Sequence, residues 1–183
     1  MATGLDDTDD GMSRDETARL IEALGIYRTA RLEFLDALGC ASNRDPLAGF
    51  SERLVAAWLG GTLAANRVQK GWDLTLPNGE TVEVRYLANP ADRWVNEHHV
   101  RFPEDPDELH WYALAIFEGF ELRAVFAFPH DQMATIGREL AKRHPDQDRM
   151  LQLTRTNYHR ILTHPERFET LGMRVLVPTP PLP

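Results

Sequence analysis

The strongest local folding instruction in this 183-residue chain is the tripeptide Pro77-Asn78-Gly79. On its N-terminal side, Leu74 and Leu76 alternate with polar positions. On its C-terminal side, Val82, Val84 and Tyr86 alternate with Thr81, Glu83 and Arg85. A period of two marks half-buried strands, so residues 70–86 read as a hairpin. Two turns are open to it. A two-residue type I′ turn on Asn78-Gly79 would pair Asp73 with Val84, but it needs a backbone N–H just ahead of it, which Pro77 lacks. A three-residue loop instead puts Pro77 at the first corner of a type I turn and Gly79 at the left-handed bulge position. Residue 76 then lies opposite 80, Asp73 faces Glu83, and Arg85 follows on the same face. Facing carboxylates repel unless a positive charge lies between them, and a metal ion is the expected occupant.

The rest of the chain is read around this hairpin. Residues 1–13 are acidic, with too little apolar content to fold, and are expected to be disordered. Residues 14–177 read as one domain, and 178–183 as a proline-rich tail. Leu20, Leu24, Tyr27, Phe34, Leu35 and Leu38 recur at helical spacing across Gly25, as one kinked helix or two short ones ending near Gly39. Residues 47–59 form a second helix, stopped by Gly60-Gly61. Phe50, Leu54, Ala57 and Trp58 make one stripe of it, and Glu52 lies beside Val55, Ala56 and Leu59 on the other side. A helix apolar nearly all round is buried, so Glu52 must be paired, protonated or bound to a cation. A salt bridge to Arg53 or Arg85 competes with the cation.

Downstream, 89–108 is a polar connection in which His98-His99 are expected in an exposed loop. Residues 109–117 are almost continuously apolar, the mark of a central strand. Glu118-Gly119 turns the chain into a strand over 121–128. Asp131 caps a helix over 132–143, 150–155 is a short strand, and Thr156 or Asn157 caps a helix holding Tyr158 and Ile161. Pro165 opens a last small helix that Gly172 ends, and 173–177 is extended.

Composition narrows the function. The 43% hydrophobic content is ample for a core, and no apolar run approaches a membrane span. The acidic N-terminus is the reverse of a signal peptide, and the single Cys40 suits a reducing compartment, so a cytoplasmic location is expected. The seven histidines show no zinc-binding spacing. A net charge of −8 argues at first against nucleic acid, but residues 1–16 hold six acids against one arginine, whereas 138–174 hold eight Lys or Arg against five acids. A basic face on an acidic protein is compatible with that distribution.

The order of elements then matters: a helix bearing Glu52, a hairpin bearing Asp73 and Glu83-Val84-Arg85, two strands, a helix. In this the chain resembles the PD-(D/E)xK nuclease superfamily, over about residues 47–128. Trp72-Asp73 stands for the P-D and Glu83-Val84-Arg85 for the (D/E)-x-K, and Lys70-Gly71-Trp72-Asp73 is similar to the family's bacterial members. The resemblance implies an α/β (α+β) fold with a central mixed sheet of four or five strands flanked by helices. It implies Mg²⁺ or Mn²⁺ held by Glu52, Asp73, Glu83 and the carbonyl of Val84, with Asp73, Glu83 and Arg85 as catalytic residues hydrolysing DNA.

One position departs from the family. Arg85 replaces the motif lysine, and a guanidinium can clamp a phosphate but cannot accept a proton. Three readings therefore stand: a Mg²⁺-dependent endonuclease, a nuclease-fold protein that binds DNA or a partner protein without cutting, and an unrelated α/β protein whose acidic tail docks on a basic partner. The basic residues expected to meet nucleic acid are Lys70, Arg138, Lys142, Arg143, Arg155 and Arg160, with Arg149 among them. A homodimer is the common arrangement for enzymes that cut two strands.

Overall fold

In the computed structural model of the chain, the 77–79 loop closes as the three-residue connection that proline dictates. The Gly79 N–H donates to the Leu76 carbonyl at 2.9 Å, and the Leu76 N–H to the Glu80 carbonyl at 2.8 Å. Gly79 takes the left-handed conformation (φ 90°) that the bulge position requires. The strands on either side pair Leu74 with Val82 and Thr75 with Thr81. One step further out, the Asp73 N–H donates to the Val82 carbonyl at 2.9 Å, which sets Asp73 across from Glu83.

The structure describes residues 14–39, 45–64, 71–140 and 150–178, and the expected tail over 1–13 lies outside them. The chain falls into two compact units, Met1–Pro46 and Leu47–Pro183. In the first unit, α1 (Arg14–Ala37) is a single unbroken helix through Gly25.

All but the first residue of α2 (Pro46–Leu59) belongs to the second unit. Five strands follow: β1 (Thr62–Leu63), β2 (Leu74–Thr75), β3 (Thr81–Asn89), β4 (His98–Arg101) and β5 (Trp111–Glu118). After them come β6 (Glu121–Pro129), a 3-10 turn, α3 (Met133–Glu139), β7 (Met150–Leu153), α4 (Arg155–Thr163), α5 (Pro165–Glu169) and β8 (Arg174–Leu176). The fold is α+β, a six-stranded mixed sheet flanked by helices, in the order β1-β2-β3-β5-β6-β8. Its neighbours are antiparallel except β3 and β5, which run parallel.

Alternation along β3 and β5 sends successive side chains to two different cores. Val82 and Val84 join Ala113, Ala115 and Val55 of α2 on one face. Leu87, Leu114 and Ile116 join Val100 of β4, Leu151 of β7, Ile136 of α3 and Ile161 of α4 on the other.

Several sequence expectations are corrected. The connection between β3 and β5 is not loop throughout: residues 98–101 form a strand, β4, that pairs antiparallel with β7 as a second, two-stranded sheet. The helix expected over 132–143 is a 3-10 turn at His130–Gln132 followed by a short α3, and 141–149 lie outside the described residues. The hairpin between β5 and β6 turns on Gly119-Phe120, both at positive φ, leaving Glu118 in its strand. The cap of α4 is Thr154, whose hydroxyl accepts the Asn157 N–H while the Asn157 side chain accepts the Thr154 N–H. Among the described residues no helix is long and apolar enough to cross a membrane.

Candidate active site

Odd-numbered residues of β3 project away from α2, so Glu83 and Arg85 leave the sheet together on the β4 side. Asp73 reaches the same point from the end of β2. Its Oδ2 accepts the Val84 N–H at 2.8 Å. The Arg85 guanidinium then ties the group together: it pairs with Glu83 Oε1, lies 3.5 Å from Asp73 Oδ2, and donates to the Val84 carbonyl at 3.0 Å. A single cation thus touches three oxygens, two of them from facing carboxylates.

The acids are not at ease there. Burial pushes the Glu83 carboxyl up to about 7; Arg85 opposes the rise, while the charge of Asp73, a hydrogen bond with Asp73 and the charge of Glu52 add to it. Near pH 7 Glu83 is therefore about half protonated and carries roughly half a negative charge rather than a full one.

Glu83 and Arg85 form part of the wall of a cleft of about 640 Å³, with Trp72, His99, Arg101 and Tyr112 around it. His99 and Arg101 come from the outward side of β4, and Arg101 with Arg85 gives the cleft a cationic rim beside Glu83. Sequence reasoning missed this rim because 98–101 reads as loop. The available signal was the two-residue spacing of His99 and Arg101 around apolar Val100. A second cleft, of about 630 Å³, is lined by Glu80, Asp107 and Asp131 with His110 and His130, a poor match for phosphate.

Glu52 is buried, at 7% exposure, but α2 covers the Val82 and Val84 face, opposite to the one from which Glu83 projects. Its charge is the smallest of the influences on Glu83. Arg53 donates to the Gly49 carbonyl at 3.2 Å within α2. Lys70, Lys142, Arg143 and Arg149 lie outside the described residues. Arg160 pairs with Glu139 at 3.3 Å, a carboxylate it shares with Arg167 at 2.7 Å, and Arg138 donates to Thr135 Oγ1 at 3.1 Å. Arg155 is exposed in the first turn of α4. None of Arg138, Arg155 and Arg160 lines the cleft.

Among the described residues, no three His, Cys, Asp or Glu side chains stand as a group ready for a metal ion. Mg²⁺ does not require three: it commonly takes one or two carboxylates and keeps several waters. The oxygens that Arg85 touches, from Asp73, Glu83 and the Val84 backbone, are hard donors of the right kind, and in chemistry they fit Mg²⁺ or Mn²⁺. No protein-family model matches this chain, and no curated protein matches it.

Proposed function

We propose that the chain hydrolyses phosphodiester bonds of DNA, using Mg²⁺ or Mn²⁺ held by Asp73, Glu83 and the Val84 carbonyl. The observation that carries this reading is the pairing of two acids across β2 and β3, with Glu83 raised to about 7 at the wall of a cleft rimmed by Arg85, His99 and Arg101. A like-charge pair in a half-buried position is costly, and such arrangements gather at sites that bind cations or move protons. The ion, when bound, would lower the pKa of a water and neutralise charge on the phosphate. Arg85 would then leave the carboxylates and clamp a phosphate oxygen, a bidentate task suited to a guanidinium. Arg101 would hold the neighbouring phosphate. Glu52 contributes charge from beneath rather than a ligand. Cutting both strands calls for two such sites, which a homodimer supplies. A cytoplasmic location suits a chain with a single cysteine.

A second reading rests on Arg85 itself. Its bridge to both acids supplies internally the positive charge that the pair requires, which favours a protein that binds DNA without cutting it. Incubating supercoiled plasmid with the purified protein and Mg²⁺ or Mn²⁺ separates the two. Nicking that disappears in EDTA and in Asp73→Asn supports hydrolysis. Salt-sensitive retention of DNA with no nicking, unchanged by either metal, supports binding alone and ends the hydrolytic reading.

A further inference from the structure

Tyr112 and His98 form a built pair at the cleft that the acids and the arginines leave unexplained. Tyr112 is the partner of Glu83 in the parallel register of β3 and β5, so its side chain stands beside Glu83 on the same face. Its ring is held on two sides, by Phe102 edge-on at 6.0 Å between centroids and by His98 at 5.8 Å. Its hydroxyl meets His98 Nε2 at 2.7 Å. Both groups are partly or wholly shut off from solvent, and Tyr112 lines the cleft together with Glu83 and Arg85.

The direction of the phenol hydrogen is set by the tautomer of His98. Burial, with the charges of Arg85 and His99 adding, holds His98 down to about 4, so the imidazole is neutral at pH 7 and carries one ring N–H. Burial also raises the Tyr112 phenol well above its usual range, so it keeps its proton. The phenol therefore has one hydrogen to give and lone pairs to receive with. Glu83 lines the cleft beside it, and the charges of Glu83 and Asp73 reach the phenol. In the tautomer that carries its hydrogen on Nε2, His98 donates to the phenol oxygen and the hydroxyl hydrogen is free to turn toward Glu83 and the cleft.

Resting on the hydrolytic reading above, we propose that Tyr112 is a substrate contact of this site, its O–H donating to a non-bridging phosphate oxygen beside Glu83. His98 is the positioning residue that aims the hydroxyl by donating to it. A neutral donor is useful here because it contacts the phosphate without adding a cation that would pair with Asp73 or Glu83. The ladder of β4 and β7 holds His98 in place, which gives that two-stranded sheet a function as well as a structural role.

Tyr112→Phe removes the hydroxyl and keeps the ring against Phe102. In the full chain with Mn²⁺, kcat on plasmid is expected to fall about 10-fold or more and KM to rise. His98→Leu is expected to match that loss, while His98→Gln, which retains an N–H donor, recovers most of the activity. A wild-type kcat in Tyr112→Phe, or an equal loss in His98→Leu and His98→Gln, overturns the proposal. Should the wild type not cut at all, the hydrolytic reading fails by itself, and the hydroxyl contact is then read from binding. Retention of a duplex oligonucleotide in Ca²⁺ about 3- to 10-fold weaker in Tyr112→Phe upholds the contact, and equal retention overturns it.

Discussion

Asp73 Oδ2 accepts the Val84 N–H at 2.8 Å, so a carboxylate does the work of a backbone carbonyl where β2 runs out beside β3. That bond fixes the orientation of the acid before any ligand arrives. It also makes alanine a poor probe at this position. Asp73→Ala would leave the Val84 N–H without its acceptor and cost about 1–3 kcal/mol, whereas the amide oxygen of Asp73→Asn can still accept. Chemical denaturation is expected to show Asp73→Asn close to wild type and Asp73→Ala clearly weaker. Equal midpoints for the two would mean that the Val84 N–H finds another partner.

Glu83 makes the stability of the protein depend on pH in a direction unusual for a carboxylate. Its folded pKa of about 7 lies above the ordinary 4.5, so the native state binds the proton more tightly than the unfolded chain. The native state is favoured below pH 4.5, and that advantage is lost as pH rises through 4.5 to 7. Screening at this partly solvated position reduces the effect to about 1–2 kcal/mol. In EDTA, Glu83→Gln is expected to be more stable than wild type at pH 8 and no more stable near pH 4.5. The lost ion pair with half-exposed Arg85 offsets little. A constant difference at both pH values would remove Glu83 as its cause.

The parts of this molecule that local chemistry dictates were legible in the sequence. Pro77 denies the two-residue turn its N–H, Gly79 accepts the positive φ, and from those two residues follow the register and the facing of Asp73 and Glu83. What the sequence does not carry is pairing at long range. His98 to Arg101 hold one apolar residue, too short a pattern to declare a strand, and their partner β7 lies some fifty residues downstream. Without β4, neither Arg101 nor the His98–Tyr112 contact is visible. Glu52 is a different case. Its burial follows from the helix pattern, but the face of the sheet that α2 covers depends on tertiary packing, which no local pattern declares. Charge counting over 138–174 could not foresee that Glu139 would take up Arg160 and Arg167.

Asn89 controls how the chain leaves β3 for β4. Its buried Oδ1 accepts two backbone N–H groups, from Val95 and Asn96, each at 2.8 Å, and its Nδ2 donates to the Asn96 carbonyl at 3.2 Å. Asn89→Ala strands two amide donors at once and is expected to cost about 2–4 kcal/mol. Asn89→Asp, which keeps the acceptor, is expected to cost less. Because this turn sets the position of β4, amide exchange in 98–101 should speed up in Asn89→Ala more than exchange in β5. Uniform acceleration across both strands would instead indicate simple global destabilisation.

Arg85 decides between the two functional readings, and its replacement tests them together. The guanidinium touches Asp73, Glu83 and the Val84 carbonyl at once because its donors are arranged as a planar fork. A lysine ammonium is a compact point charge and cannot span the three oxygens in the same way. Arg85→Lys should loosen the bridge and open the carboxylates to a divalent ion, while keeping a cation near the phosphate. Calorimetry is expected to show Mn²⁺ binding about tenfold tighter in Arg85→Lys than in wild type, with plasmid nicking increased. Arg85→Gln removes the charge altogether: it should bind Mn²⁺ at least as tightly as Arg85→Lys but nick less, since nothing remains to hold the phosphate. If both variants bind Mn²⁺ no better than wild type, the guanidinium is not standing in for a metal, and the acids form an internal ion-pair network that serves the fold alone.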